Sequence, residues 1–98
     1  MRTYKEIVKN YILIYNNSNE DWRLFREQER YLTGAHLIYH LYEPHNPSND
    51  HDHCEFCMAK FGKGDADLKI GYSTLNNEIW ICPKCYNDFK DRFGWKLE

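Results

Sequence analysis

Cys54-Glu55-Phe56-Cys57 and Cys82-Pro83-Lys84-Cys85 hold all four cysteines of this chain. A Cys-x-x-Cys turn aims two sulfurs at one point, and two such turns complete a four-thiolate tetrahedron around a metal ion. The expected cofactor is Zn²⁺, one per chain and structural, with Cys54, Cys57, Cys82 and Cys85 as ligands. Cys82 and Cys85 alone would also suit a thioredoxin-type redox pair, which the second pair at a compatible distance disfavours. Iron at the same sulfurs and a metal-free pair of disulfides stay open. A closed four-cysteine shell has no place for an activated water or a substrate oxygen, so these residues point away from metal catalysis and the chain is not expected to be an enzyme.

His51-Asp52-His53 runs directly into Cys54. His51 and His53 are candidate outer-shell partners that would orient a ligating thiolate. The plainer alternative is a polar loop that satisfies backbone groups beside the cysteines. His36 and His40 would chelate only from a helix, and are expected to be partly exposed structural residues.

These groups need elements to position them. Thr3 and Glu6 form a capping box, and Ile7, Tyr11 and Ile14 share a helical face, so residues 4–15 are expected to be helical, with a strand over the β-prone run Tyr11 to Tyr15 as competitor. Asn16 to Asn19 ends that helix, and Ser18 or Asn19 caps a second one over 20–31, with Trp22, Phe25 and Leu32 turned inward. Gly34 breaks the pattern. Ala35, Leu37, Tyr39 and Leu41 then alternate with His36, Ile38, His40 and Tyr42, which suggests a strand over 35–42 with a helix as competitor. Residues 44–52 form a loop by composition and bound an N-terminal helical or mixed layer, residues 1–44.

Residues 53–98 read more sharply. A tight turn at Cys54–Cys57 is followed by strands over 68–74 and 78–82, joined by Leu75-Asn76-Asn77. Pro83 suits the first position of a helix, since its missing N–H would be unpaired there. Tyr86, Phe89 and Phe93 recur at helical spacing, Gly94 terminates the helix, and Trp95 folds back. The helix start favours thiolate at Cys85 through its free N–H groups and dipole. Trp80, Phe89, Phe93 and Trp95 are expected in the core rather than stacked on nucleobases. Phe56 and Phe61 are expected to shield the metal.

Turn, hairpin and helix, with the second cysteine pair at the helix start, resemble the treble-clef zinc finger over residues 53–98. The resemblance implies Cys54 and Cys57 as the knuckle ligands and Cys82 and Cys85 as the helix-start ligands. Some His-Asn-His nucleases use this fold, with the catalytic histidine in the hairpin and helix, but residues 68–93 contain no histidine. The string His-Asp-His-Cys-Glu-Phe-Cys, Gly71-Tyr72, Trp80 to Cys85 and Phe93-Gly94-Trp95 is also similar to a small, uncharacterised bacterial family with paired Cys-x-x-Cys motifs. That similarity implies a bacterial cytoplasmic protein and no particular activity.

The chain has 98 residues and 16% aromatics, enough for one small α+β domain reinforced by metal. No apolar run nears membrane-spanning length, and the N-terminus lacks a secretory pattern, so a cytoplasmic location is expected. In that compartment thiols stay reduced. The formal charge of −2 becomes about −4 with four thiolates and a dication, which disfavours a phosphate backbone as ligand. A non-catalytic module that binds a protein partner, as a regulatory or immunity-type factor, is the expected function. Its candidate contacts are Glu20, Asp21, Glu27, Glu29, Asp50, Asp52 and Glu55. Nucleic-acid binding through Lys84, Lys90, Arg92 and Lys96 is the alternative, weakened by Asp88 and Asp91. A hydrolase built on His51 and His53 is the remote third.

Overall fold

A computed structural model describes residues 21–98. The expected helix over 4–15, its capping box and the caps at Ser18 and Asn19 lie outside the described residues. The described chain is an α+β arrangement of short helices and two sheets.

The second expected helix is not continuous. Asp21 caps a single 3₁₀ turn, Trp22–Leu24, by accepting the Arg23 N–H. Glu27 then adopts a left-handed φ of 54°, which no α-helix tolerates, and only Glu29–Leu32 (α1) is α-helical. The inward residues are therefore Leu24, Gln28 and Leu32, while Trp22 lies exposed and Phe25 half-buried. Breaking the helix at Glu27 is what turns Gln28 into the core.

His36–Leu41 (β1) is a strand, so the strand alternative holds over the helical one. It pairs antiparallel with Ile70–Thr74 (β4), Tyr39 facing Tyr72 and Leu41 facing Ile70. Trp80–Ile81 (β5) continues the sheet beyond β4, and Lys96–Leu97 (β6) pairs parallel with β1 on its other side. The order β5-β4-β1-β6 makes β1 an interior strand of a sheet shared with the cysteine-bearing half. Its alternation is only partly converted into burial. Leu37 is fully buried, whereas Tyr39 and Leu41 on the same face are 49% and 68% exposed.

A two-stranded sheet, His51–His53 (β2) against Lys60–Gly62 (β3), flanks the first cysteine pair. It replaces the end of the expected loop. Phe61 of β3 packs on Tyr42 and Trp80, and His40 stacks on Trp80 at 4.8 Å, so one face of the main sheet is closed by aromatics. Gly71 permits this closure. A Cβ there would lie 2.6 Å from the Phe61 ring.

The other face is covered by Pro83–Phe93 (α2), whose Tyr86 stacks on Tyr72 at 3.6 Å. Pro83 opens this helix, and Gly94 ends it at φ 64°, a conformation that costs little only for glycine. Trp95 then folds back, donating its indole N–H to the Leu32 carbonyl and packing on Phe56 and Phe93. Phe56, Phe89, Phe93 and Trp95 thus form the core beneath the cysteines.

Candidate metal centre

The first cysteine pair is shaped by its backbone. The Cys54 N–H donates to the Ala59 carbonyl and the Met58 N–H to the Cys54 carbonyl, closing a tight turn between β2 and β3. Met58 completes the turn at a left-handed φ of 68°. The Glu55 N–H donates to the Trp80 carbonyl at 2.8 Å, which pins the turn to β5 immediately ahead of Cys82. Sheet pairing, not chain proximity, therefore brings the two motifs together. Cys82 is the N-cap of α2, extended at φ −69° and ψ 157°, and Cys85 lies in its first turn.

The four Sγ atoms all lie within 4.8 Å of one another, and Cys57 Sγ is 3.7 Å from Cys82 Sγ. A tetrahedron with metal–sulfur bonds of about 2.3 Å has sulfur–sulfur edges of about 3.8 Å. The cluster has the size of such a shell. All four cysteines are free, and Cys54, Cys82 and Cys85 are buried while Cys57 is half-buried. The donor set thus fits a thiophilic ion.

The surroundings favour negative sulfur. The N–H groups of Phe56 and Cys82 donate to Cys54 Sγ at 3.5 and 3.3 Å, and the Cys85 N–H donates to Cys82 Sγ at 3.4 Å. Hydrogen bonds from the Cys54 and Cys85 side chains, then from the Cys85 N–H, pull the Cys82 thiol down to about 3. Cys85 moves the opposite way, held protonated by the Cys54 and Cys82 sulfurs it donates to. Mutual repulsion keeps crowded sulfurs from all ionising alone, and a dication removes that repulsion.

Arg23 is a member of this site that the sequence does not announce. Its guanidinium donates to Cys85 Sγ at 3.3 Å across 62 residues of chain. It also forms a fork with Asp21 at 2.9 and 2.7 Å, reaches Asp88 at 3.0 Å, and lies 4.4 Å over the Phe89 ring. The Asp21 hydrogen bond is the main cause that raises the Arg23 pKa, so the cation is permanent. Gln28 is the second unannounced member. Its fully buried amide donates to the Arg23 and Glu55 carbonyls at 2.9 and 3.0 Å and ties the two segments together. Both contacts join remote segments, and no local pattern encodes them.

His51 and His53 project from β2 as exposed residues with ring centroids 5.0 Å apart. His51 bonds to Asp50, and Asp52 accepts the Tyr42 hydroxyl. Among the described residues, the N–H donors to the sulfurs are Phe56, Cys82, Cys85 and Arg23, not these histidines. His36 bonds to Glu98, and His40 to the Ser73 hydroxyl, which places both away from the sulfur cluster's hydrogen bonds.

The chain matches no protein-family model, no curated protein and no solved structure. No helix among the described residues is long and apolar enough to cross a membrane.

Proposed function

We propose that the protein is a zinc-stabilised, non-catalytic protein-interaction module of treble-clef type, serving a regulatory or immunity-type role. The observation that carries the zinc reading is the four-sulfur cluster, whose spacing matches a closed tetrahedral shell. Such a shell stabilises a fold by about 10–16 kcal/mol in small zinc modules, comparable to or above the whole stability of a domain this size.

Surface chemistry supports a protein partner over nucleic acid. The basic edge of α2 is partly neutralised, with Lys84 paired to Asp88 and Arg92 to Glu29. The acidic candidates are largely engaged as well: Asp21 with Arg23, Glu27 with Arg30, and Glu55 with Arg26 and Tyr31. The main sheet also leaves large apolar side chains exposed, namely Tyr39, Leu41, Ile70 and Leu97. Such side chains favour apolar contact with protein over electrostatic binding to phosphates.

The test is native mass spectrometry with elemental analysis on protein purified without added metal. One zinc per chain, with unfolding on chelation, is expected. A metal-free, fully folded protein would overturn the zinc reading. Steep salt-dependent binding to DNA or RNA would overturn the protein-partner reading. Turnover lost in His51→Ala or His53→Ala would overturn the non-catalytic one.

A further inference from the structure

The four sulfurs are not equivalent. Cys54 Sγ accepts two backbone N–H groups, Cys82 Sγ accepts one, and Cys85 Sγ accepts the Arg23 guanidinium. Among the described residues, the polar contact of Cys57 Sγ is with another sulfur, Cys82 at 3.7 Å, and with no N–H. Cys57 is also the half-exposed cysteine, the other three being buried. An N–H donor draws charge from a thiolate and weakens it as a nucleophile, while burial denies it reagents. Both effects leave Cys57 as the accessible, undamped sulfur of the cluster.

We propose that Cys57 is a modification site, the zinc thiolate at which hydrogen peroxide acts first. The inference rests on the zinc reading above. The Cys57 sulfur attacks one peroxide oxygen, forming an S–O bond as the O–O bond breaks and hydroxide leaves. The Cys82 thiolate, already 3.7 Å away, then attacks the Cys57 sulfur, forming the S–S bond and expelling the second hydroxide. The two thiolates supply the two electrons that reduce the peroxide, and two protons from solvent convert both hydroxides to water. Two of the four ligands are thereby lost and zinc is released. Reduction by a thiol would restore the ligands.

Two measurements on the full zinc-loaded chain test this. With substoichiometric N-ethylmaleimide and peptide mapping, Cys57 is expected to be labelled first. Its lead over each hydrogen-bonded cysteine should be at least roughly fivefold, the rate ratio that one ordinary hydrogen bond corresponds to. With hydrogen peroxide, zinc release followed by a chromophoric chelator is expected to track a Cys57–Cys82 disulfide. Arg23→Met supplies an independent check that keeps all four ligands. At saturating zinc it should raise Cys85 labelling relative to Cys57 by roughly tenfold or more, the rate ratio that a hydrogen bond to a charged group corresponds to. A zinc-loaded protein in which Cys54, Cys82 or Cys85 is labelled first, or in which a different disulfide forms, overturns this inference alone. A protein that holds no zinc removes the reading beneath it.

Discussion

Replacing Arg23 by methionine separates the metal centre's own ligands from the structure that supports them. The guanidinium is 13% exposed and serves four neighbours: Asp21, Cys85 Sγ, Asp88 and the Phe89 ring. A hydrogen bond to a charged partner contributes about 1.5–3 kcal/mol, and a cation over an aromatic face about 0.5–2 kcal/mol. These do not add. Asp21 is about one-third exposed and rehydrates when its partner goes, and methionine still covers part of Phe89. Asp88 is exposed, so its pairing counts for little. The expected loss is therefore about 2–3 kcal/mol of stability. Zinc affinity should fall about tenfold, the lower end of what losing an outer-sphere partner costs. Competition against a chromophoric chelator reads the affinity, and urea unfolding of the zinc form reads the stability. Asp88→Asn is the control, because it removes one carboxylate and keeps the arginine–sulfur bond. Unchanged zinc affinity in Arg23→Met would refute the assignment of Arg23 to the metal centre. An equal drop in Asp88→Asn would show that the sulfur contact is not the cause.

Gln28→Leu leaves the Arg23 and Glu55 carbonyls without their buried donor but also removes the unpartnered buried Oε1 of the amide, and should cost about 1–2 kcal/mol in urea unfolding. A near-neutral result would mean that water replaces the amide. Gly71→Ala places a methyl against the Phe61 ring and the Ile81 carbonyl, so thermal unfolding should report a loss of about 1–3 kcal/mol through overpacking. Gly94→Ala meets open space but a left-handed φ, and should cost only about 1 kcal/mol. The Arg23 side chain, by its hydrogen bond, holds the Asp21 carboxyl below the ordinary carboxylate value against the opposing effect of burial. A folded-state value below the unfolded one of about 4 stabilises the protein above that pH and loses the contribution as pH falls through the folded value. Asp21→Asn should therefore be less stable than wild type near neutrality, with the gap closing below about pH 4. Taking the difference between the two zinc-loaded proteins cancels the acid release of metal expected of both, and a gap constant with pH would refute the linkage.

Near-neighbour rules made part of this protein legible without coordinates. The grouping of Cys54, Cys57, Cys82 and Cys85 followed from two turn-sized spacings, since Cys-x-x-Cys aims sulfurs together whatever surrounds it. Pro83 and Gly94 marked both ends of α2, because a missing N–H and a left-handed φ are properties of single residues. Alternation over 35–42 indicated the strand β1. The same rules failed where a contact joins remote parts of the chain. Glu27 looked like an ordinary helix residue, yet the break there moves Gln28 and Leu24 inward in place of Trp22 and Phe25. His51-Asp52-His53 looked like a polar loop, but pairing with Lys60–Gly62 makes it the strand that frames the first cysteine pair. Alternation in β1 likewise did not foretell that Leu37 is fully buried while Leu41 on the same face stays outside.

The sequence by itself determined which four sulfurs can share an ion, because ligand type and turn spacing are local. Tertiary structure alone decided how those sulfurs differ. The Glu55–Trp80 backbone bond sets the two pairs side by side, and Arg23 reaches Cys85 from 62 residues away. The same packing leaves Cys57 half-buried and, among the described residues, without an N–H donor to its sulfur. Such differences depend on the direction and solvent access of individual atoms, which exist only once the sheet has formed and the segments have packed.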